Sequence, residues 1–102
     1  MESRTLINRA TLTGAGAIFD FPGIGSFQAD GVTTSGAGAA TVKVQVSNTG
    51  RDWLDAGSIS LVLSTTSATD GFILDNAMWR FIRGNVSAIS GTGAKVSLTM
   101  GV

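Results

Sequence analysis

Few side chains in this sequence are suited to chemistry. Asp52 and Asp55 lie three apart around Trp53-Leu54. A glycosidase needs two carboxylates roughly 5–10 Å apart beside a sugar groove, but the spacing alone reads as two solvated turn residues after Gly50. Asp20, Asp30, Asp70 and Asp75 offer oxygen ligands of the kind calcium prefers, yet no Asp-x-Asp-x-Asp run gathers them. A calcium site would have to be assembled from several loops. Gly-x-Gly strings at 14–16, 23–25, 36–38 and 91–93 have the form of phosphate loops. None ends in Gly-Lys-Ser/Thr and none opens a helix, so turns are expected. Histidine and cysteine are absent. The commonest general base, the thiolate nucleophile, disulfides and Cys-ligated metal sites go with them. No enzyme activity, cofactor or metal is expected.

Residues suited to contact are better represented. Arg80 and Arg83 lie beside Trp79 and Phe81, and Arg and aromatic side chains are enriched at interface hot spots. Their alternative is the solvent side of a strand. Trp53 and Trp79 are each either core residues or exposed platforms for stacking on a sugar. Arg4, Leu6, Ile7 and Arg9 precede the first glycine cluster. Residues 1–13 read either as an arm that adds a strand to a neighbour's sheet or as the first strand of this domain. The candidate interface set is therefore Arg4, Leu6, Ile7, Arg9, Trp79, Arg80, Phe81 and Arg83.

The elements that must position these residues are strands. Val42, Val44 and Val46 alternate with Thr41, Lys43, Gln45 and Ser47, a period of two with one apolar face. Ser47-Asn48-Thr49-Gly50 reads as a turn. Ile59, Leu61 and Leu63 continue the pattern in a second strand. In the strand expected over 78–87, Ile82, Gly84, Val86 and the adjoining Ala88 take one face, and Trp79, Phe81, Arg83 and Asn85 the other. Apolar groups on both faces predict a central strand or one that meets a partner. Ala94, Val96, Leu98, Met100 and Val102 alternate to the end. Shorter strands are expected in 5–13, in 17–21 before Pro22-Gly23, and in 26–33 with a break at Asp30-Gly31. Residues 35–40 read as a flexible connector and 64–71 as a loop. Residues 69–78 are the one weak helix candidate. The expected fold is all-β: one antiparallel β-sandwich domain over 1–102, of about eight short strands, with jelly-roll topology as a finer guess.

Composition sets the partners. The 102 residues carry 7 basic and 7 acidic side chains, for a formal net charge of zero, which argues against a nucleic-acid binder. Charged residues are 14% against roughly 25% in an average domain, and apolar residues are 43%. That balance excludes disorder and predicts that part of the surface is covered by partners. No apolar run is long enough to span a membrane, and MESRTLINRATLT has no apolar signal segment. Synthesis and retention in a cytoplasm are expected.

Two stretches, ATVKVQVSNTGRDWLDAGSISL at 40–61 and WRFIRGNVSAISGTGAKVSLTMGV at 79–102, resemble small β-sandwich virion proteins encoded among the structural genes of tailed bacteriophages. The shared pattern is a Val-rich strand, an Asn-containing turn, a Trp, and Trp-x-x-Ile-Arg running into Gly-Thr-Gly. The first 39 residues take no part in it. The resemblance implies a virion protein, foremost a capsid decoration or cement protein on the outer shell, bound to major capsid subunits and to its own copies as a dimer or trimer. A tail or fibre module that recognises a host glycan is the alternative. The motifs contain nothing catalytic.

Overall fold

A computed structural model describes residues 3–20, 25–74 and 79–101. Pro22-Gly23 and Asp75, considered above, lie outside them. The strands are β1 (Ser3–Ala10), β2 (Gly14–Ala15), β3 (Phe19–Asp20), β4 (Gly25–Val32), β5 (Ser35–Ser47), β6 (Leu54–Leu63), β7 (Ala68–Leu74), β8 (Phe81–Thr92) and β9 (Lys95–Gly101). Among the described residues there is no helix long and apolar enough to cross a membrane.

The strands form two antiparallel sheets. One has the order β1-β9-β4-β7; the other has β2-β8-β5-β6, with β3 also paired to β8. If β2 and β3 are taken as one interrupted strand, the pairing is nested. The first strand pairs with the last, the second with the second-last, β4 with β7, and β5 with β6. Both sheets turn their apolar face inward. Val42, Val44, Val46, Ile82 and Val86 from one meet Phe27, Val96, Leu98 and Met100 from the other, all at most 2% exposed. The expected all-β sandwich is what forms.

Bulges carry the chain across places where simple alternation fails, and three of the five register shifts matter most for the site and core. In β1, Thr5 pairs with Thr99 and Ile7 with Leu98, so one extra residue is inserted. Leu6 and Ile7 therefore both face inward, at 3% and 6% exposure. This corrects their place in the interface set: they are core residues of a first strand that pairs with β9 of the same chain. In β8, Thr41 pairs with Ala88 and Val42 with Val86, leaving Ser87 as the extra residue. Ala88, expected to face inward, is exposed, and Ile89 packs against the core instead. The third bulge, at Ala56 in β6, falls where Val44 pairs with Gly57 and Gln45 with Asp55.

Other expectations change as well. Residues 69–74 are strand β7, not helix or loop, because β4 supplies seven paired residues from Gly25 to Gly31. The 35–40 segment is the start of β5, not a connector, and β4 runs through Asp30-Gly31 without a break. Three crossovers between the sheets meet at one end, joined through Thr33 and Thr34. The buried Thr33 N–H donates to the Ser64 carbonyl at 2.8 Å and its hydroxyl to the Gly36 carbonyl at 2.6 Å. The Thr34 N–H and hydroxyl both donate to the Thr92 carbonyl at 3.0 Å. Gly93, with φ of 63°, makes the last turn in a region that favours glycine.

Candidate functional site

The richest arrangement of polar and aromatic side chains lies on the outer face of the β8-β5-β6 sheet. Cross-strand register builds it. Arg83 pairs with Gln45, and Gln45 pairs with Asp55, so three strands place these side chains in one row. The Arg83 Nε–H donates to Gln45 Oε1 at 2.9 Å, and Gln45 Nε2 donates to Asp55 Oδ1 at 2.9 Å. Lys43 Nζ closes the row on Asp55 Oδ2 at 3.3 Å. The Arg83 guanidinium lies over the Trp53 ring at 4.2 Å, and that of Arg80 over Phe81 at 5.0 Å. Among the described residues no carboxylate is within ion-pair distance of Arg80 or Arg83. Two guanidiniums without an ion-pair partner among those residues thus lie among aromatic rings at this end of the sheet, where Asp20 also stands opposite Phe81.

The loop carrying Trp53 is held by hydroxyls. Ser47 Oγ, on a buried residue, accepts from the N–H groups of Thr49 and Gly50 at 3.1 and 3.0 Å. Thr49 Oγ1 accepts from those of Arg51 and Asp52 at 3.2 and 3.1 Å. The predicted turn is present, and Gly50 has a φ of 75°. Two nested Ser/Thr turns shape it, a device visible in the sequence only as the Ser47-x-Thr49 spacing.

The Asp55 carboxyl is held below its usual 3.8, first by the Gln45 amide hydrogen bond and then by Lys43. A depressed folded value means the ionised group's stabilisation is present above the unfolded value and is lost as pH falls through the folded one. Gln45→Ala should therefore raise the Asp55 midpoint, read by carboxyl-carbon NMR. An unchanged midpoint would contradict the row.

The expected site residues divide between places. Arg4 and Arg9 are exposed on β1, in the other sheet from Phe81 and Arg83 of β8, which Arg80 immediately precedes. Trp79 reads from the sequence both as a core residue and as a member of the interface set on the face of Phe81 and Arg83. It precedes β8 and packs, half-buried, against the core. Asp52 pairs with its neighbour Arg51 at 3.7 Å, and Asp55 with Lys43, so each carboxylate has its own cation. Asp30 accepts from the Thr69 hydroxyl at 2.7 Å. Among the described residues no three acidic groups gather to hold a metal. An open recess of about 590 Å³ on the outer face of the β1-β9-β4-β7 sheet is lined by Ser26, Gln28, Thr69, Asp70 and Ile73. It brings together no acid–base pair.

No protein-family model matches the chain, and neither does any curated protein. The fold is similar to that in the crystal structure of PBSX exported protein XepA, with a TM-score of 0.57 and 12% identity. The match covers 97% of this chain and 36% of XepA, so the chain spans about a third of that protein's length, and the likeness is one of fold.

Proposed function

We propose that this chain is a structural protein of a phage particle, most specifically a decoration or cement protein bound to the outside of the shell across major capsid subunits. The observation that carries the reading is the fold match of nearly the whole chain to a segment of the PBSX exported protein XepA. The resemblance of residues 40–61 and 79–102 to virion sandwiches supports it. So does the nested strand order, which we class as a jelly roll, an architecture used by viral capsid and lectin domains. The end of the sheet that holds Trp53, Arg80, Phe81 and Arg83 is the proposed contact with the shell, since such side chains dominate binding energy when desolvated.

The mechanism is linkage. A protein that binds only the assembled, expanded shell stabilises it by about 2.7 kcal/mol per site at a hundred times its Kd, and many sites add up. The glycan-binding alternative needs a bare aromatic platform. One face of Trp53 is taken by Arg83 and Trp79 packs on the core, so we keep the shell reading. The test adds purified chain to undecorated shells. Saturable binding and a higher shell disruption temperature are expected, both weakened by Arg83→Ala. Absence of binding, or binding with no gain in shell stability, overturns the role.

A further inference from the structure

We propose that the free edge of β6 pairs antiparallel with the β6 of a second copy, joining two chains into one continuous sheet. The four sheet edges are managed differently. Natural edges are blunted by shortness, charge, bulges or covered backbone groups, because an open edge is a template for another strand. Edge β1 is broken by two register shifts, and Arg9 stands there at a φ of 52°. The opposite edge of the other sheet is made of β2 and β3, each two residues long. On β7 the Asp70 carboxylate accepts from the Gly71 N–H at 2.8 Å, covering a donor on that strand.

Edge β6 carries Asp55 and the bulge at Ala56 near its start, and past them none of these devices. From Gly57 to Leu63 it runs opposite Val44–Gly38 with no register shift. That stretch, GSISLVL, holds no charge and no proline. Alternate residues of an edge strand point their N–H and C=O groups away from the sheet. Among the described residues, no strand pairs with β6 on that side.

The same stretch is suited to pairing with itself. A two-fold contact must be self-complementary. An axis at its midpoint sets Ser60 opposite Ser60 of the second copy and Ser58 opposite Val62. No like charges meet there, and the short hydroxyls permit strand spacing of about 4.8 Å. Val62, 82% exposed, would be covered. A net charge of zero adds no long-range repulsion between copies. This gives the self-association in the shell reading a surface, and the test needs no shell, so each idea stands or falls separately.

The test is the mass of the isolated chain by analytical ultracentrifugation at micromolar to millimolar concentration. The wild type should be a dimer of about twice 10.4 kDa. Ser60→Lys, which sets two cations face to face, should return it to monomer without lowering its melting temperature. Ile73→Lys, on β7, should leave the dimer intact. Because the chain has no cysteine, Ser60→Cys supplies a sole thiol and should form a dimeric disulfide on mild oxidation, whereas Ile73→Cys should not. A monomer at every concentration overturns the proposal, including one that pairs only with another protein's strand. A dimer that survives Ser60→Lys, or that only Ile73→Lys breaks, does so too.

Discussion

Phe27→Ala should remove about 3–5 kcal/mol of folding stability, the usual cost of emptying a buried aromatic site. Phe27 lies on β4, an inner strand of its sheet, and is 2% exposed. Its ring stacks on that of Phe72 on β7, with centroids 5.2 Å apart and planes at 30°. Such a pair contributes about 0.5–1.5 kcal/mol beyond its buried area. Phe72 is pinned from the other side. A Cβ placed on Gly57 of the opposite sheet would lie 2.6 Å from the Phe72 ring, so the ring already fills the space above that glycine. It cannot slide into the space left by Phe27 without opening another void. A domain of this size has a total stability of about 5–15 kcal/mol and loses roughly 4–8 °C of Tm per kcal/mol. The melting temperature should therefore drop by tens of degrees. Ile73→Ala is the matched control, one residue beyond Phe72 but facing solvent at 72% exposure, and should change stability by less than about 0.5 kcal/mol. A Phe27→Ala loss below about 1 kcal/mol in denaturant melts would show that the two sheets do not meet at this ring pair.

Leu98→Ala is expected to cost about 2–5 kcal/mol by the same cavity argument, and its coupling to Gly84 is more informative. Leu98, on β9, has no exposed surface. A Cβ on Gly84 of β8 would lie 2.8 Å from Leu98 Cδ2 and 2.8 Å from Ile7 Cδ1. Gly84 is small because the bulge in β1 pushes Ile7 inward beside Leu98, leaving no room for a methyl group on the facing strand. Gly84→Ala should thus cost about 1–3 kcal/mol through forced side-chain shifts. In the Leu98→Ala background one of the two close contacts is gone and the new methyl enters the vacated space. The double variant should be more stable than the sum of the single losses predicts, by about 0.5–3 kcal/mol, the range for residues in contact. Additive losses would contradict this sheet-to-sheet contact.

These positions show how much of the fold can be read in advance. Val42, Val44 and Val46, the Ile59-Leu61-Leu63 row and the run from Ala94 to Met100 were legible because each strand buries one whole face, which imposes a period of two. Bulges were not legible, because an inserted residue changes register without changing composition. That is why residue type alone puts Leu6 and Ile7 in the interface set and Ala88 on the inward face, whereas the register turns Leu6, Ile7 and Ile89 to the core. Strand β7 was hidden for another reason. Ala68-Thr69-Asp70-Gly71 has little intrinsic strand preference and is extended because β4 offers it a ladder. The start of β5 is similar. A Cβ on Gly38 would collide with the Ser90 carbonyl oxygen, so the glycine that suggested a loop is what lets two strands approach there. At the candidate site, Arg80, Phe81 and Arg83 were identifiable from residue type alone. The Arg83-Gln45-Asp55 row and the stacking of Arg83 on Trp53 depend on the register of three strands and the shape of one loop.

The role proposed for this β-sandwich is to cover a protein shell in many copies. The most direct measurement is the number of copies per particle in virions that carry this gene, by quantitative mass spectrometry or reconstruction of the particle. The account predicts hundreds of copies, distributed over the capsid exterior. A handful confined to the tail, or none at all, would contradict it.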